Sequence, residues 1–140
     1  MISGLIALVF AAAFAGAAVY VNWVEQPARL ALDDQALLSE WTPSDRRGVA
    51  LLAAFALVAA VAGFIAFFES DDVRWVFGAL IIIGSWPYAF FVMAPLNNQI
   101  LSLRGHDIAA AKALVRQWGL IESGFAAIGV FAVAMFLWAL

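Results

Sequence analysis

The chain has 140 residues, of which 66% are hydrophobic, and a formal net charge of −3. It contains no cysteine and a single histidine, so no disulfide, thiolate nucleophile, iron–sulfur cluster or multi-histidine metal site is expected. The acidic balance offers no basic stripe for phosphates, and nucleic acid is not an expected partner.

Charged residues are almost absent from four apolar stretches. The runs 1–24, 48–68 and 75–103 carry none, and the run 117–140 carries only Glu122. Each run exceeds the roughly 20 apolar residues that cross a bilayer as a helix. We therefore predict an all-α fold, an antiparallel four-helix transmembrane bundle forming a single domain over residues 1–140. Its helices are expected at about residues 2–24, 44–68, 74–96 and 107–140.

The basic residues predict the orientation of this bundle. In an up-down-up-down series, connections 1–2 and 3–4 share one side of the membrane and both termini share the other. Arg74 alone falls on the terminal side, and the other six fall on the first: Arg29, Arg46, Arg47, Arg104, Lys112 and Arg116. The positive-inside rule then predicts that connections 1–2 and 3–4 are cytoplasmic and that both termini are outside. We expect an integral multi-pass protein of a bacterial cytoplasmic membrane.

Pro27 interrupts the end of helix one. Proline lacks an N–H and clashes with the preceding turn, so the helix is expected to kink or stop here. If it continues through a kink, Asn22, Glu25 and Arg29 share one face. The alternative is a membrane-exit segment with aromatic anchors at the interface.

The segment Leu30 to Trp41 mixes leucines with acidic residues, as a short amphipathic helix on the bilayer surface would. We predict such an interfacial segment between helices one and two. Thr42, Pro43 and Asp45 then resemble a helix start, with Thr42 at the cap and Pro43 at the first helical position.

Helix three contains Pro87 in mid-span, where a kink is expected because a membrane proline frees a backbone carbonyl. It is expected to end near two adjacent carboxamides, Asn97 and Asn98. These side chains either belong to a polar site or accompany ordinary helix termination. Helix four is expected to begin at Asp107, a candidate N-cap.

Glu122 is the main functional candidate, because an ionisable group inside a membrane costs roughly 2.5 kcal/mol or more to insert. Small neighbours allow another backbone to approach it closely, which places it toward the bundle interior. The topology brings several polar side chains to the same membrane face. We expect them to form one hydrogen-bonded cluster of Asn22, Glu25, Arg29, Asn97, Asn98, Arg116 and Glu122.

Three segments in this order resemble the anthrone oxygenase family of small four-helix membrane proteins. They are Val24-Glu25-Gln26-Pro27-Ala28-Arg29-Leu30, Trp86-Pro87-Tyr88 with Met93-Ala94-Pro95-Leu96-Asn97, and Arg116-Gln117-Trp118-Gly119. The resemblance implies oxidation of anthrone-like aromatic polyketides by dioxygen without a further cofactor. Two departures stand out: Gln26 replaces a histidine common in the family, and Glu122 to Phe125 replaces a His-x-x-Arg pattern. If those histidines are bases, Glu122 and Glu25 are the candidates to replace them.

These observations give two competing functions. The first is a membrane oxygenase acting on an apolar aromatic small molecule, with Glu122 and Glu25 as catalytic candidates. Its ligand-binding candidates are Asn22, Arg29, Trp86, Tyr88, Asn97, Asn98, Arg116 and Trp118. The second is a non-catalytic protein that binds a lipid or quinone-like ligand, or serves as a small subunit of a complex.

A transporter is less favoured because the sequence shows no inverted repeat. A homo-oligomer would make a transport function possible again. An apolar cavity reaching Glu122 favours an enzyme or a ligand-binding protein, and a packed interior favours a structural role.

Overall fold

The computed structural model describes the whole chain, Met1 to Leu140, as four long helices joined by short turns. These are α1 (Ile2–Leu30), α2 (Asp34–Ser70), α3 (Arg74–Leu103) and α4 (Ile108–Ala139). There is no strand, and each helix is long and apolar enough to cross a membrane. The predicted four-helix transmembrane bundle is confirmed, and the chain is a multi-pass membrane protein.

The helices are closely packed at the terminal end of the bundle, which carries both chain termini and the connection 71–73. Trp75 stacks on Phe136 with ring centroids 5.6 Å apart, joining α3 to α4. A Cβ on Gly4 would lie 2.5 Å from the Trp75 ring, and one on Gly129 would lie 2.8 Å from the Cα of Ala15. Close contact between helices is thus achieved by small residues and buried aromatic rings, as membrane bundles require.

Helix α2 begins earlier than the sequence predicts. The start at Thr42 and Pro43 is wrong: the helix begins at Asp34, and Asp33 is its N-cap, accepting a hydrogen bond from the Ala36 N–H at 2.9 Å. Pro43 lies inside the helix, where it leaves the carbonyl of exposed Ser39 without its helical partner. Water can satisfy that carbonyl. The predicted interfacial segment is therefore the first part of α2.

The first turns of α2 are held against the bundle by apolar packing. Leu37, Leu38 and Trp41 are all buried. The Trp41 ring lies edge-on to Trp118 of α4, with centroids 6.0 Å apart. This burial favours one continuous helix over a separate surface segment.

Two prolines are accommodated by π-helical turns. The turn Val21–Glu25 lies two residues before Pro27, and the turn Ala89–Met93 lies two residues before Pro95. In a π turn the backbone hydrogen bonds run from the N–H of residue i to the carbonyl of residue i−5. This altered pattern accommodates the missing N–H of the proline that follows. Helices α1 and α3 therefore continue to Leu30 and Leu103, beyond the ends predicted near residues 24 and 96.

Helix α3 is also interrupted at Gly84, three residues before Pro87, the proline at which the sequence predicts a kink. The Ser85 hydroxyl donates to the Ile82 carbonyl at 2.7 Å and satisfies part of the loosened backbone. Before this point α3 packs along both α2 and α4, and after it α3 packs mainly on α4. Helices α2 and α3 therefore separate toward the polar end, the end that carries connections 31–33 and 104–107.

Helix α4 begins as predicted. The Asp107 carboxylate accepts a hydrogen bond from the Ala110 N–H at 3.1 Å. Its 32 residues span roughly 48 Å at 1.5 Å per residue, which exceeds the hydrocarbon thickness of about 30 Å. The first turns of α4 therefore project beyond the hydrocarbon layer at the polar end.

Candidate functional site

The π turn in α1 turns Asn22 toward α4. The Asn22 side-chain amide donates to Glu122 Oε2 at 2.5 Å and to the Ala18 carbonyl at 3.2 Å. Glu122 itself is 3% exposed, and no other side chain in the structure bonds to its carboxylate. Glu122 therefore points into the bundle, as the sequence predicts, and one of its two oxygens remains available.

Arg29 is the centre of a buried ion-pair cluster. Its side chain is fully buried, and its guanidinium pairs with Glu25 at 2.6 Å and with Glu40. It also donates to Ser44 Oγ at 3.1 Å, and it lies 5.2 Å from the centroid of the Trp118 ring. Two carboxylates thus compensate the charge of Arg29, so the arginine orders the polar end and is not a free cation.

Gln26 occupies the position at which the resemblance leads one to expect a histidine. Its carbonyl oxygen accepts from Arg29 at 2.8 Å, and its amide donates to the Val115 carbonyl of α4 at 2.9 Å. A Cβ at Gly119 would approach the Gln26 amide nitrogen to 2.6 Å. Gln26 therefore joins α1 to α4, and it reaches α4 only because residue 119 has no side chain.

A cavity of about 380 Å³ reaches Glu122 from the outer surface between α1 and α2. We call it the Glu122 cavity. Its mouth includes Tyr20 and Leu51, which are 57% and 49% exposed. Its volume lies in the range of roughly 300 to 1,000 Å³ typical of small-molecule sites. The polar lining is Glu25, Ser44, Asp45, Arg47 and Glu122, and the rest is Ala17, Tyr20, Val21, Gly48, Val49, Leu51, Leu52, Trp118 and Phe125.

Asp45 is a further carboxylate in this cavity, at a position where the sequence predicts only a helix start. Its Oδ2 accepts from Asn97 of α3 at 2.9 Å, whereas Oδ1 is buried without a hydrogen-bond partner. A continuous α2 places Asp45 on the face of the helix that meets the bundle. Trp41, Asp45, Gly48 and Leu52 then follow a spacing of four and three residues along one helix face.

Tyr88 lies beside the cavity without lining it. Its hydroxyl donates to the Ile121 carbonyl, and its ring meets Phe125 edge-on with centroids 5.2 Å apart. Gly124 leaves the space that the phenol occupies. Tyr88 therefore positions α4 near Glu122 through the backbone and through Phe125.

Trp86 lines a second, more open space between α2 and α3. This α2–α3 cleft has a volume of about 570 Å³ and is almost wholly apolar. The Trp86 indole donates to the Ala53 carbonyl at 3.2 Å across it. Val49, Leu52 and Phe125 line both spaces and form the wall between the cleft and the Glu122 cavity.

The expected convergence of polar groups is therefore partial. The structure brings together Asn22 with Glu122, Glu25 with Arg29, and Asn97 with Asp45. Asn98 and Arg116 are exposed, form no side-chain hydrogen bond and line neither space, because they lie on outer faces of α3 and α4. Residues that the sequence analysis missed are Ser44, Asp45 and Arg47 from the start of α2.

Comparison with known proteins gives one family. The model of a family described as anthrone oxygenase matches residues 41–135, which include α3, most of α2 and most of α4. This range holds Asp45, Asn97, Trp118 and Glu122. The comparisons with curated proteins and with solved structures gave no significant match.

Proposed function

Since the chain belongs to the anthrone oxygenase family, we propose that it oxidises an apolar, anthrone-like aromatic substrate with dioxygen in the Glu122 cavity. The family match supports an oxygenase-like function in general. The particular substrate class and the role of Glu122 are the parts that we add.

The observation that carries the proposal is the carboxylate of Glu122, which lines the cavity, forms no ion pair and keeps one oxygen without a hydrogen bond. Of the other two carboxylates of the lining, Glu25 is paired with Arg29, and the unbonded oxygen of Asp45 is fully buried. Glu122 is held by one hydrogen bond from Asn22, which fixes its orientation and leaves Oε1 free to meet a substrate C–H. A general base must be positioned within hydrogen-bonding reach of the proton it takes. Trp118 and Phe125 flank Glu122 with flat aromatic surfaces suited to a planar ligand.

The proposed chemistry balances with dioxygen as the only co-substrate. Glu122 removes a proton from the methylene carbon between the two aromatic rings, and the resulting carbanion donates electrons to dioxygen. A carbon–oxygen bond forms, giving a hydroperoxide after protonation. Loss of the second methylene proton with cleavage of the O–O bond gives the quinone carbonyl and water. The substrate carbanion is itself the reductant, so the proposal requires no resident cofactor.

The surroundings of Glu122 suit this proton transfer. Val49, Leu52 and Phe125 limit the access of water, which strengthens electrostatic interactions within the cavity. The cavity mouth lies on the surface of apolar helices, so an apolar substrate is expected to enter laterally from the bilayer. The lipid bilayer is then both the solvent for the protein and the source of its ligand.

The test is dioxygen uptake with anthrone by the purified chain in detergent. Glu122→Gln keeps the shape and hydrogen-bonding capacity of the side chain but cannot take the proton, so the rate should fall by about 100-fold or more. Glu69→Gln is the matched control, because Glu69 is exposed near the terminal end and lines neither space. Unchanged turnover in Glu122→Gln would show that Glu122 is not the general base of the proposed reaction.

Binding measured beside turnover separates the two competing functions. If the wild type binds anthraquinone but consumes no dioxygen with anthrone, the protein is a carrier or sensor of such ligands and not an oxygenase. The cavity itself favours a ligand-binding function of either kind over a purely structural subunit.

A further inference from the structure

Arg47 is the only cation that lines the Glu122 cavity. It is exposed, and it takes part in no ion pair and no side-chain hydrogen bond in the structure. Arg47, Tyr20 and Leu51 are the exposed residues of the lining, and Arg47 lies one helical turn before Leu51 on α2. Its guanidinium is thus free to meet a ligand at the opening.

The other charges of the cavity are all acidic. Glu25 is compensated by Arg29, but Asp45 and Glu122 have no cation within ion-pairing distance. An anionic group carried into the cavity would meet carboxyl groups and lose its hydration, both of which are unfavourable. A negatively charged ligand therefore has one favourable orientation, with its charge at the mouth and its neutral rings inside.

We infer that Arg47 is a specificity-determining residue that binds an anionic group of the ligand, such as a carboxylate, at the mouth of the cavity. Arginine suits this role because its planar guanidinium binds a carboxylate through two parallel hydrogen bonds. The inference rests on the proposed function, since it concerns the ligand of the same cavity. It adds that the aromatic ligand is amphiphilic, and that the end opposite its acidic group faces Glu122.

The adjacent arginine provides a matched control. Arg46 is also exposed and free of ion pairs, but it does not line the cavity. Replacing either arginine by glutamine changes the net charge and the interfacial composition equally. Only Arg47→Gln removes a cation from the opening.

The experiment measures binding of two probes to the full chain in a neutral detergent, by quenching of tryptophan fluorescence. The probes are anthraquinone-2-carboxylate and its neutral carboxamide, which have almost the same size. Wild type should prefer the carboxylate, and Arg47→Gln should weaken carboxylate binding about tenfold, the loss expected for a charge-assisted hydrogen bond. Carboxamide binding should be unchanged, and Arg46→Gln should behave as wild type.

Several outcomes would overturn the inference. They are equal binding of both probes by wild type, no binding of either probe, or equal losses in Arg46→Gln and Arg47→Gln. If Arg47→Gln instead lowers only the thermal stability gained from added phosphatidylglycerol, Arg47 serves a lipid headgroup and the inference is wrong. Because the probes are already oxidised, none of these results depends on turnover, and oxidation of anthrone would still decide the proposed function separately.

Discussion

Replacing Arg29 by methionine removes the one cation of the buried cluster while keeping most of the apolar stem volume. In the structure the guanidinium bonds to Glu25, Glu40, Gln26 and Ser44, and its side chain is fully buried. The substitution leaves Glu25 and Glu40 facing one another without a counter-charge. We expect a loss of stability that is dominated by these uncompensated carboxylates.

The magnitude follows from how far water can reach the two carboxylates. Removing one partner of a fully buried ion pair costs roughly 3 to 5 kcal/mol. The side chains of Glu25 and Glu40 are 23% and 36% exposed, so solvent offsets part of this cost. We therefore expect Arg29→Met to lower the free energy of unfolding by about 3 kcal/mol, near the lower bound for a buried pair.

The assay is reversible unfolding by sodium dodecyl sulfate in mixed micelles, followed by circular dichroism. Lys112→Met is the control: the pair of Lys112 with Asp34 is partly exposed, and surface pairs contribute about 1 kcal/mol or less. Adding Glu25→Gln and Glu40→Gln to Arg29→Met should restore part of the stability, because the stranded charges are then gone. If Arg29→Met costs no more than the control, the cluster does not stabilise the polar end and this reasoning fails.

Two further predictions concern packing and orientation. Gly119→Ala should cost about 1 to 3 kcal/mol in the same unfolding assay, because its Cβ would overlap Gln26. Gly16→Ala, whose Cβ would meet nothing within 4 Å, should cost nothing, and equal effects would contradict the packing argument. In cells, an impermeant thiol reagent should label Ser70→Cys and spare Gly105→Cys. The reverse pattern would invert the orientation predicted from the basic residues.

The helices and their order were predictable from the sequence because charge is excluded from hydrocarbon. That single physical rule locates the four apolar runs and selects Glu122 as an exception. This rule does not predict where a helix ends outside the hydrocarbon layer. Water there can satisfy the backbone hydrogen-bonding groups, so a helix can continue beyond the layer. For this reason the predicted ends near residues 24 and 96, and the predicted start near residue 44, fall short of the observed helices.

The site was predictable only in part, because it depends on the rotation of each helix. Asn22 pairs with Glu122 from within a π turn, and a proline does not specify such a turn by itself, since Pro43 lies inside α2 without one. Asp45 was missed because Thr42-Pro43-Ser44-Asp45 satisfies a helix-start pattern locally, while burial of Leu37, Leu38 and Trp41 favours an earlier start. Tertiary packing thus overrode a local signal.

The lateral mouth of the Glu122 cavity has a kinetic consequence. Under the proposed entry from the bilayer, a ligand reaches Tyr20 and Leu51 by diffusing in two dimensions, so the encounter rate depends on the number of ligand molecules per lipid. Adding empty lipid to a fixed amount of ligand dilutes it within the membrane, although its concentration per volume of sample is unchanged. Affinities and rates for this protein therefore belong on a mole-fraction scale, and values from preparations with different lipid contents become comparable only after that conversion.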